Sequence, residues 1–281
     1  MVSEVITPAG TEIVYRHALA VRITHWVNAF CLSLLLLSGL QIFNAHPTLY
    51  FGEKSTPERA VLSMKAVQRA DGSYAGITTI GSTQFDTTGV LGLSRDANGE
   101  LDNRGFPSWV TIPSYRDLAT GRLWHFFFAW LFVLNGFAYL LYAAWSGHVR
   151  RDLAPTRGQL RHIGQSTWEH IRFRFPRGEE AKSYNVLQKL AYLAVIFGLL
   201  PLVVLTGLTM SPGMNAAFPF MLDVFGGRQS ARTIHFMCAT GITLFVIVHV
   251  AMVFASGAWN NIRSMITGRY AIDPEEVPHG K

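Results

Sequence analysis

Four long runs without a charged side chain dominate the hydropathy pattern of this 281-residue chain. A helix needs about 20 mainly apolar residues to cross the hydrocarbon core of a bilayer, and every run meets that length. The pattern therefore predicts an all-α integral membrane protein with a bundle of four transmembrane helices. Pro201 in the third run is expected to kink its helix. The predicted helices cover about residues 22–43, 123–147, 188–210 and 233–257.

Composition and charge agree with a membrane location. Only 15% of the residues are charged, whereas soluble domains average about 25%. The linker 146–186 contains eight basic and four acidic residues, a net charge of +4. Basic linkers face the cytoplasm, so both termini are expected there as well, and residues 1–281 are expected to form a single membrane domain. Nucleic-acid binding has little support, because topology accounts for this basic run.

The segment 44–122 is then expected on the external side, as a long insertion between the first and second helices. Its eight acidic and eight basic residues cancel. Ser55-Thr56-Pro57-Glu58 is typical of a helix start and predicts a short helix over residues 60–67. Asp96-Ala97-Asn98-Gly99 predicts a hairpin turn within a small β element. A connection of this length is usually functional, and a folded cap or docking surface is expected.

One short motif stands at the start of three of the four runs: arginine, two residues, histidine, an aromatic residue, two residues, alanine. Ionisable side chains are rare inside membranes and usually functional. A fourth histidine, His249, lies inside the last run. The three copies are Arg22-Ile-Thr-His25-Trp26-Val-Asn-Ala29, Arg122-Leu-Trp-His125-Phe126-Phe-Phe-Ala129 and Arg232-Thr-Ile-His235-Phe236-Met-Cys-Ala239.

The four histidines fall into two pairs by depth. His235 and His249 are 14 residues apart on one helix, which is about 21 Å along its axis and within about 40° of one face. That helix can therefore present one ligand at each of two levels. The pattern predicts two b-type haems with paired imidazole ligands, His25 with His249 on the inner side and His125 with His235 on the outer side.

The other motif positions fit the same hypothesis. Each arginine lies one turn towards the membrane surface, where it can bind a haem propionate. Each alanine lies one turn inward on the histidine face, where a small side chain leaves room for the flat ring. The predicted cofactor-binding residues are Arg22, Arg122, Arg232, Ala29, Ala129 and Ala239.

Other interpretations of single residues stay open. A lone membrane histidine is often a hydrogen-bonding group between helices. His148, at the inner end of the second helix, rivals His25 as the inner ligand, and His17 is expected at the membrane interface. Cys31 and Cys238 are expected at different depths, so no disulfide is predicted. Without a Cys-x-x-Cys-His motif, c-type haem and cysteine-ligated iron–sulfur clusters are disfavoured.

The histidine pattern resembles a family of membrane cytochromes b. Arg22-x-x-His25-Trp26 and the pair His235-x13-His249 are similar to the γ subunit of formate dehydrogenase, the b subunit of nickel–iron hydrogenase and, most closely, thiosulfate reductase cytochrome b. The similarity covers the four helices, roughly two thirds of the chain, and extends to the strings 184–189, 206–213 and 226–235. The segment 44–122 is longer than expected for hydrogenase-type members.

The resemblance implies a di-haem subunit of a bacterial inner membrane that exchanges electrons between quinone and a periplasmic oxidoreductase. It implies His25, His125, His235 and His249 as the iron ligands, a molybdopterin enzyme as the partner, and a quinone near His25, His249 and Asn28. Two rival classes are a self-sufficient quinol-oxidising cytochrome with a diffusible acceptor and a transporter that relays protons through histidines. The insertion favours the subunit, and the absence of acidic residues from the four runs argues against the transporter.

Overall fold

The long helices are the main feature of the fold. The structure is a computed structural model that describes residues 5–6, 12–96, 98–172 and 185–272. In these ranges four helices, α1, α2, α5 and α8, are long and apolar enough to cross a membrane. The helices are α1 (Leu19–Phe43), α2 (Leu118–Ser146), α3 (Arg157–Arg161), α4 (Ile163–Ile171), α5 (Val186–Thr209), α6 (Pro212–Ala217), α7 (Phe220–Val224), α8 (Arg228–Ala255) and α9 (Ala258–Thr267).

The surfaces of the four long helices require apolar surroundings. Side chains as large as Leu123, Phe127 and Phe254 are 72%, 64% and 67% exposed. Apolar surface of this extent on a folded protein marks contact with a membrane or a partner. The predicted all-α membrane fold with four spanning helices is therefore confirmed, with α2 and α8 beginning five residues earlier than expected.

Strands occupy the insertion and the two ends of the described chain. The sheets have the orders β1-β2-β9 and β3-β4-β5-β6, and β7 pairs with β8, all antiparallel within the described ranges. The strands are β1 (Val5–Ile6), β2 (Glu12–Tyr15), β3 (Thr48–Tyr50), β4 (Ala60–Gln68), β5 (Tyr74–Ile80), β6 (Thr83–Asp86), β7 (Ser94–Arg95), β8 (Leu101–Asp102) and β9 (Arg269–Ile272).

The short helix predicted over residues 60–67 is wrong. Only one 3-10 turn, Pro57–Arg59, forms there, and Thr56 makes no side-chain cap. The following residues form β4, which pairs with both β3 and β5. The apolar spacing suits a helix or a strand, and the cross-strand hydrogen bonds decide for the strand. This pairing directs Met64 into a small core with Phe43 and Leu49.

The hairpin turn predicted at residues 96–99 is present between β7 and β8. The Asp96 Oδ1 atom accepts hydrogen bonds from the backbone N–H groups of Asn98 (2.8 Å) and Glu100 (2.9 Å). Gly99 has a φ of 83°, a conformation that glycine adopts without steric cost. Ala97 lies outside the described residues.

Helix α5 contains a π-helical segment, Val195–Leu199, just before Pro201. Proline has no backbone N–H to donate, and the local change of hydrogen-bond register accommodates that loss. At its start, Asn185 caps the helix by accepting a bond from the Leu187 N–H at 2.9 Å. Residues 173–184 of the predicted basic linker, including Tyr184 of the resembling string, lie outside the described residues.

The sheet β1-β2-β9 was not predicted, and it joins the two ends of the described chain. Gly268 connects α9 to β9 with a φ of 84°, and its carbonyl accepts a bond from the Arg16 N–H at 2.8 Å. A Cβ atom at residue 268 would lie 2.4 Å from Cε2 of Tyr15. Only glycine therefore fits this junction.

The chain divides into two compact units, and each contains parts of the long helices. Unit 1 comprises residues 1–27, 135–200 and 241–281, and unit 2 comprises residues 28–134 and 201–240. Unit 2 includes the whole insertion 44–122. The single membrane domain expected over residues 1–281 stays a prediction.

A buried arginine fixes the insertion of unit 2 to the end of α1. Arg104 is 1% exposed and donates hydrogen bonds to the carbonyl oxygen of Phe106 (2.8 Å), to Thr111 Oγ1 (2.9 Å) and to Gln41 Oε1 on α1 (3.3 Å). Asp102 lies 3.6 Å away. Burial lowers the pKa of Arg104, whereas the Asp102 charge opposes that shift. Such a charge is tolerated because most of its donors are paired.

Replacing Arg104 by Ala is expected to destabilise unit 2 by about 3 kcal/mol or more, because the partners of a buried charge lose their donor. Thermal unfolding of the purified protein measures the effect. Arg116 forms an exposed ion pair with the same Asp102 at 3.3 Å, and Arg116→Ala is the matched control, with an expected cost below about 1 kcal/mol. Equal effects of the two substitutions would contradict the role of Arg104 in fixing the insertion to α1.

Candidate functional site

Unit 1 brings together two histidines from different helices. His25 of α1 and His249 of α8 have ring centroids 6.3 Å apart, with an angle of 60° between the ring planes. The Trp26 ring lies edge-on to His25 at 5.3 Å, and the Phe245 ring stacks on His249 at 5.8 Å. The ring of Tyr192 from α5 lies 6.4 Å from His249. Aromatic side chains thus flank this pair.

Unit 2 contains a second pair with nearly the same geometry. His125 of α2 and His235 of α8 have ring centroids 6.3 Å apart and an interplanar angle of 65°. The four residues are those that the depth argument paired. Among the described residues, no group of three or more His, Cys, Asp or Glu side chains could hold a metal ion. A pair of imidazoles instead suits a metal whose remaining ligands belong to a cofactor ring.

The spacing of both pairs fits one metal ion between two imidazoles. Bonds from imidazole nitrogen to a metal are about 2.1 Å long, and each nitrogen is about 1.1 Å from its ring centroid, which places two coordinated rings about 6.4 Å apart. The observed separation is 6.3 Å in both pairs. The spacing of the two pairs therefore fits haem iron, which each pair of histidines could hold.

Hydrogen bonds in unit 2 leave the Nε2 atom of His125 available to bind a metal. Ser38 Oγ donates its one proton to the Leu34 carbonyl oxygen at 2.6 Å and lies 3.1 Å from Nδ1 of His125. The hydroxyl can then only accept from that nitrogen. This pattern favours a proton on Nδ1 of His125, which leaves the lone pair of Nε2 for a metal.

His235 is held in the same way by α5. Its Nδ1 atom donates to the Val203 carbonyl oxygen at 2.9 Å and lies 3.2 Å from Thr206 Oγ1. Thr206 in turn donates to the Leu202 carbonyl oxygen at 2.7 Å. Both histidines of this pair therefore present Nε2 as the unprotonated nitrogen.

A glycine beside each hydroxyl lets the histidine approach the neighbouring helix. A Cβ atom at Gly39 would lie 3.3 Å from Cε1 of His125, and one at Gly207 would lie 3.2 Å from Cε1 of His235. The sequence signal is Leu37-Ser38-Gly39-Leu40, repeated as Leu205-Thr206-Gly207-Leu208. The predicted site residues did not include these hydroxyls or glycines.

The histidine pair of unit 1 differs from that of unit 2 in the hydrogen bonds of its ligands. The Nδ1 atom of His25 is buried and has no hydrogen-bond partner among the described residues. A buried polar atom without a partner is costly, and such atoms often mark functional sites. The two pairs thus share their ring spacing but differ in the groups that support the ligands.

The three motif arginines have contacts that the sequence did not predict. Arg22 donates to the Ile266 carbonyl oxygen of α9. Arg232 donates to the Thr48 carbonyl oxygen at 2.9 Å and so fixes the start of β3 to α8. Arg122 is exposed, with its guanidinium 5.6 Å from the centroid of the Phe126 ring. Their roles towards propionates stay predictions.

The predicted small positions and the quinone residue give no added support. Ala29 is exposed, whereas Ala129 and Ala239 are half-buried. Asn28 belongs to unit 2, and His25 and His249 belong to unit 1. The haem-packing role of the alanines and the quinone role of Asn28 stay predictions.

Two further histidines of unit 1 have other surroundings. His148 Nδ1 lies 2.7 Å from Asp152 Oδ2, and the rings of Tyr139 and Tyr142 flank it at 6.3 and 6.1 Å. His17 is buried, and burial together with the nearby Arg16 charge lowers its pKa to about 4. His17 is therefore uncharged at neutral pH. The imidazole ring that lies 6.3 Å from the ring of His25 is that of His249.

The sequence was compared with families of known proteins. The profile of the prokaryotic cytochrome b561 family matches residues 16–268, nearly the whole chain. The chain belongs to the prokaryotic cytochrome b561 family. It is therefore a membrane-spanning electron-transfer protein that binds b-type haem.

A curated relative agrees with this membership. YedZ1 of Azospira oryzae, which its name describes as a candidate subunit of a protein-methionine-sulfoxide reductase, is 31% identical over 147 residues. The match covers 52% of this chain and 70% of YedZ1. No solved structure matches the chain significantly.

If His125 and His235 hold a haem, removal of the hydroxyl of Ser38 or Thr206 should alter that haem. A weaker bond to Nδ1 makes the imidazole a poorer donor to ferric iron, so Ser38→Ala and Thr206→Val should raise the midpoint potential of that haem and weaken its binding about tenfold. A spectroscopic redox titration measures the potential. Ser33, whose hydroxyl bonds only the Ala29 carbonyl among the described residues, provides the control Ser33→Ala. An unchanged potential in both variants would refute this role.

Proposed function

We propose that the protein is a di-haem membrane subunit that transfers electrons between the quinone pool and an external redox enzyme. The observation that carries the proposal is the pair of histidine sites with one spacing of 6.3 Å. His25 and His249 would hold one haem, and His125 and His235 the other. When held by two histidines, each haem would supply a one-electron carrier, which suits electron transfer rather than oxygen chemistry.

The side chains of this protein would orient the haem ligands and adjust the midpoint potentials of the haems. Ser38 and Thr206 would orient His125 and His235 through contacts with their Nδ1 atoms. The apolar helices that carry the histidines would limit the access of water to the haems. His25 lacks the corresponding support, so the two sites are expected to have different midpoint potentials.

We infer the orientation of the protein in the membrane from the distribution of its basic residues. The basic linker 146–186, of which α3 and α4 are described, belongs to unit 1, and basic linkers face the cytoplasm. The insertion 44–122 would then lie on the periplasmic side of a bacterial inner membrane. Both termini are cytoplasmic in this arrangement. The quinone is proposed to bind on the cytoplasmic side near His25 and His249.

The insertion is the proposed contact with the external enzyme. All four residues of β6 are exposed, and β6 is an edge strand with Phe85 48% exposed. Exposed sheet edges can pair with another chain. The name of YedZ1 describes a subunit of a reductase, and the family resemblance favours a molybdopterin enzyme. A self-sufficient quinol-oxidising cytochrome is the second candidate, and it would not need this surface.

Single histidine substitutions test the ligand assignment. Replacing His125 or His235 by Ala should remove one of two one-electron steps from a redox titration of the purified chain, and replacing His25 or His249 should remove the other. His148→Ala is the matched control, because His148 is a buried histidine of unit 1 bonded to Asp152. Loss of a step in His148→Ala, with retention of both steps in His25→Ala, would reverse the inner assignment.

Purification from native membranes tests the partner. The affinity-tagged chain is expected to retain a second protein that contains molybdenum and molybdopterin, and a quinol should reduce the haem of the complex. Phe85→Glu should lose the second protein but keep the haem spectrum. Gln84→Glu, one residue away on the opposite face of β6, is the control. Rapid oxidation of the quinol-reduced chain by a small acceptor, without any bound molybdenum protein, would favour the self-sufficient cytochrome instead.

A further inference from the structure

The short helix α9 exposes its apolar face and buries its polar face. Its apolar residues Trp259 and Ile266 are 79% and 62% exposed, whereas Ser264 on the opposite face is 1% exposed. Trp259, Ile262 and Ile266 share one stripe, because residues three, four and seven apart lie on one side of a helix. A helix in water buries such a stripe. The outward stripe of α9 therefore faces an apolar phase.

Hydrogen bonds fix α9 in this orientation within unit 1. Trp26 Nε1 donates to the Met265 carbonyl oxygen at 3.0 Å, and Arg22 donates to the Ile266 carbonyl oxygen. On the buried face, Asn261 Nδ2 donates to Ser256 Oγ at 3.0 Å. Asn260 Nδ2 donates to the Ala271 carbonyl oxygen of β9 at 2.7 Å. These hydrogen bonds hold α9 at both ends, so the helix cannot rotate to bury its apolar stripe.

The length of α9 limits where it can lie. Ten residues span about 15 Å, half the thickness of the hydrocarbon core. It follows α8 after a break at Gly257, which has a φ of 101°. A short amphipathic helix at the end of a spanning helix, with an exposed tryptophan, is typical of one that lies in the plane of the membrane surface.

A basic cavity borders the stripe. It has a volume of ≈ 380 Å³ and is lined by Ile13, Arg263, Thr267 and Arg269. Arg263 is about 40° around the helix from Trp259, at the edge of the stripe. The Nε atom of Arg263 is buried and has no hydrogen-bond partner among the described residues. Glu12, next to Ile13, points to the other side of its strand, because successive strand residues alternate.

We propose that α9 and this cavity form a binding site for an anionic phospholipid. The lipid phosphate would contact Arg263 and Arg269, and its acyl chains would lie along Trp259, Ile262 and Ile266. Two guanidinium groups without a lining carboxylate suit a phosphate, and the adjoining apolar stripe distinguishes a lipid from a free ion. Acidic lipids attract basic groups near a membrane surface. The site does not depend on the proposed electron-transfer partner.

Lipid-dependent stability of the haem-loaded full chain tests the proposal. In nanodiscs, phosphatidylglycerol should raise the thermal midpoint above that in phosphatidylcholine, and Arg263→Gln with Arg269→Gln should abolish the rise. The control pair Arg157→Gln with Arg161→Gln removes the same charge from exposed positions of α3 and should keep the rise. Equal losses in the two double variants would show general attraction and overturn the site.

Two further measurements separate the possible occupants. Brominated phosphatidylglycerol should quench the fluorescence of Trp259, seen as a difference between the native chain and Trp259→Phe, more than brominated phosphatidylcholine does. Inorganic phosphate alone should give no thermal shift in detergent, and an equal shift would assign the cavity to a free anion. Loss of haem from the Arg263→Gln, Arg269→Gln variant would assign these arginines to a haem propionate and contradict the proposal.

Discussion

The fold depends on one constraint, the need to satisfy both nitrogens of histidines placed inside apolar helices. A buried imidazole has one donor and one acceptor nitrogen, and neither can turn to water in a bilayer. In unit 2 the first nitrogen bonds a hydroxyl or carbonyl on the neighbouring helix, and the second faces a partner histidine at a separation that fits a metal. Helix packing, glycine positions and ligand geometry all follow from this requirement.

The two units meet the constraint to different degrees. Ser38 and Thr206 give the unit 2 pair a matched set of supports, one from α1 and one from α5. The unit 1 pair has aromatic neighbours, and the Nδ1 atom of His25 has no partner among the described residues. Because hydrogen bonds to ligands tune a metal centre, this difference gives one protein two unequal sites.

Much of this arrangement could be predicted from the sequence, because membrane spans and ligand spacing are local signals. Uncharged runs define the helices, and the 14-residue separation of His235 and His249 defines two levels on α8. The strand β4 could not be predicted in the same way, because its apolar spacing suits a helix until β3 and β5 supply hydrogen bonds. The contacts of Arg232 with β3 and of Arg22 with α9 likewise depend on segments distant in sequence.

The central claim is that each chain holds two haems between two pairs of histidines. Haem b and polypeptide quantified together in the purified wild-type protein, with a reduced-minus-oxidised spectrum, test it most directly. We expect two haems b per chain, both low-spin in the oxidised state as paired imidazole ligands require. One haem per chain, or a high-spin signal from an iron with an open position, would contradict it.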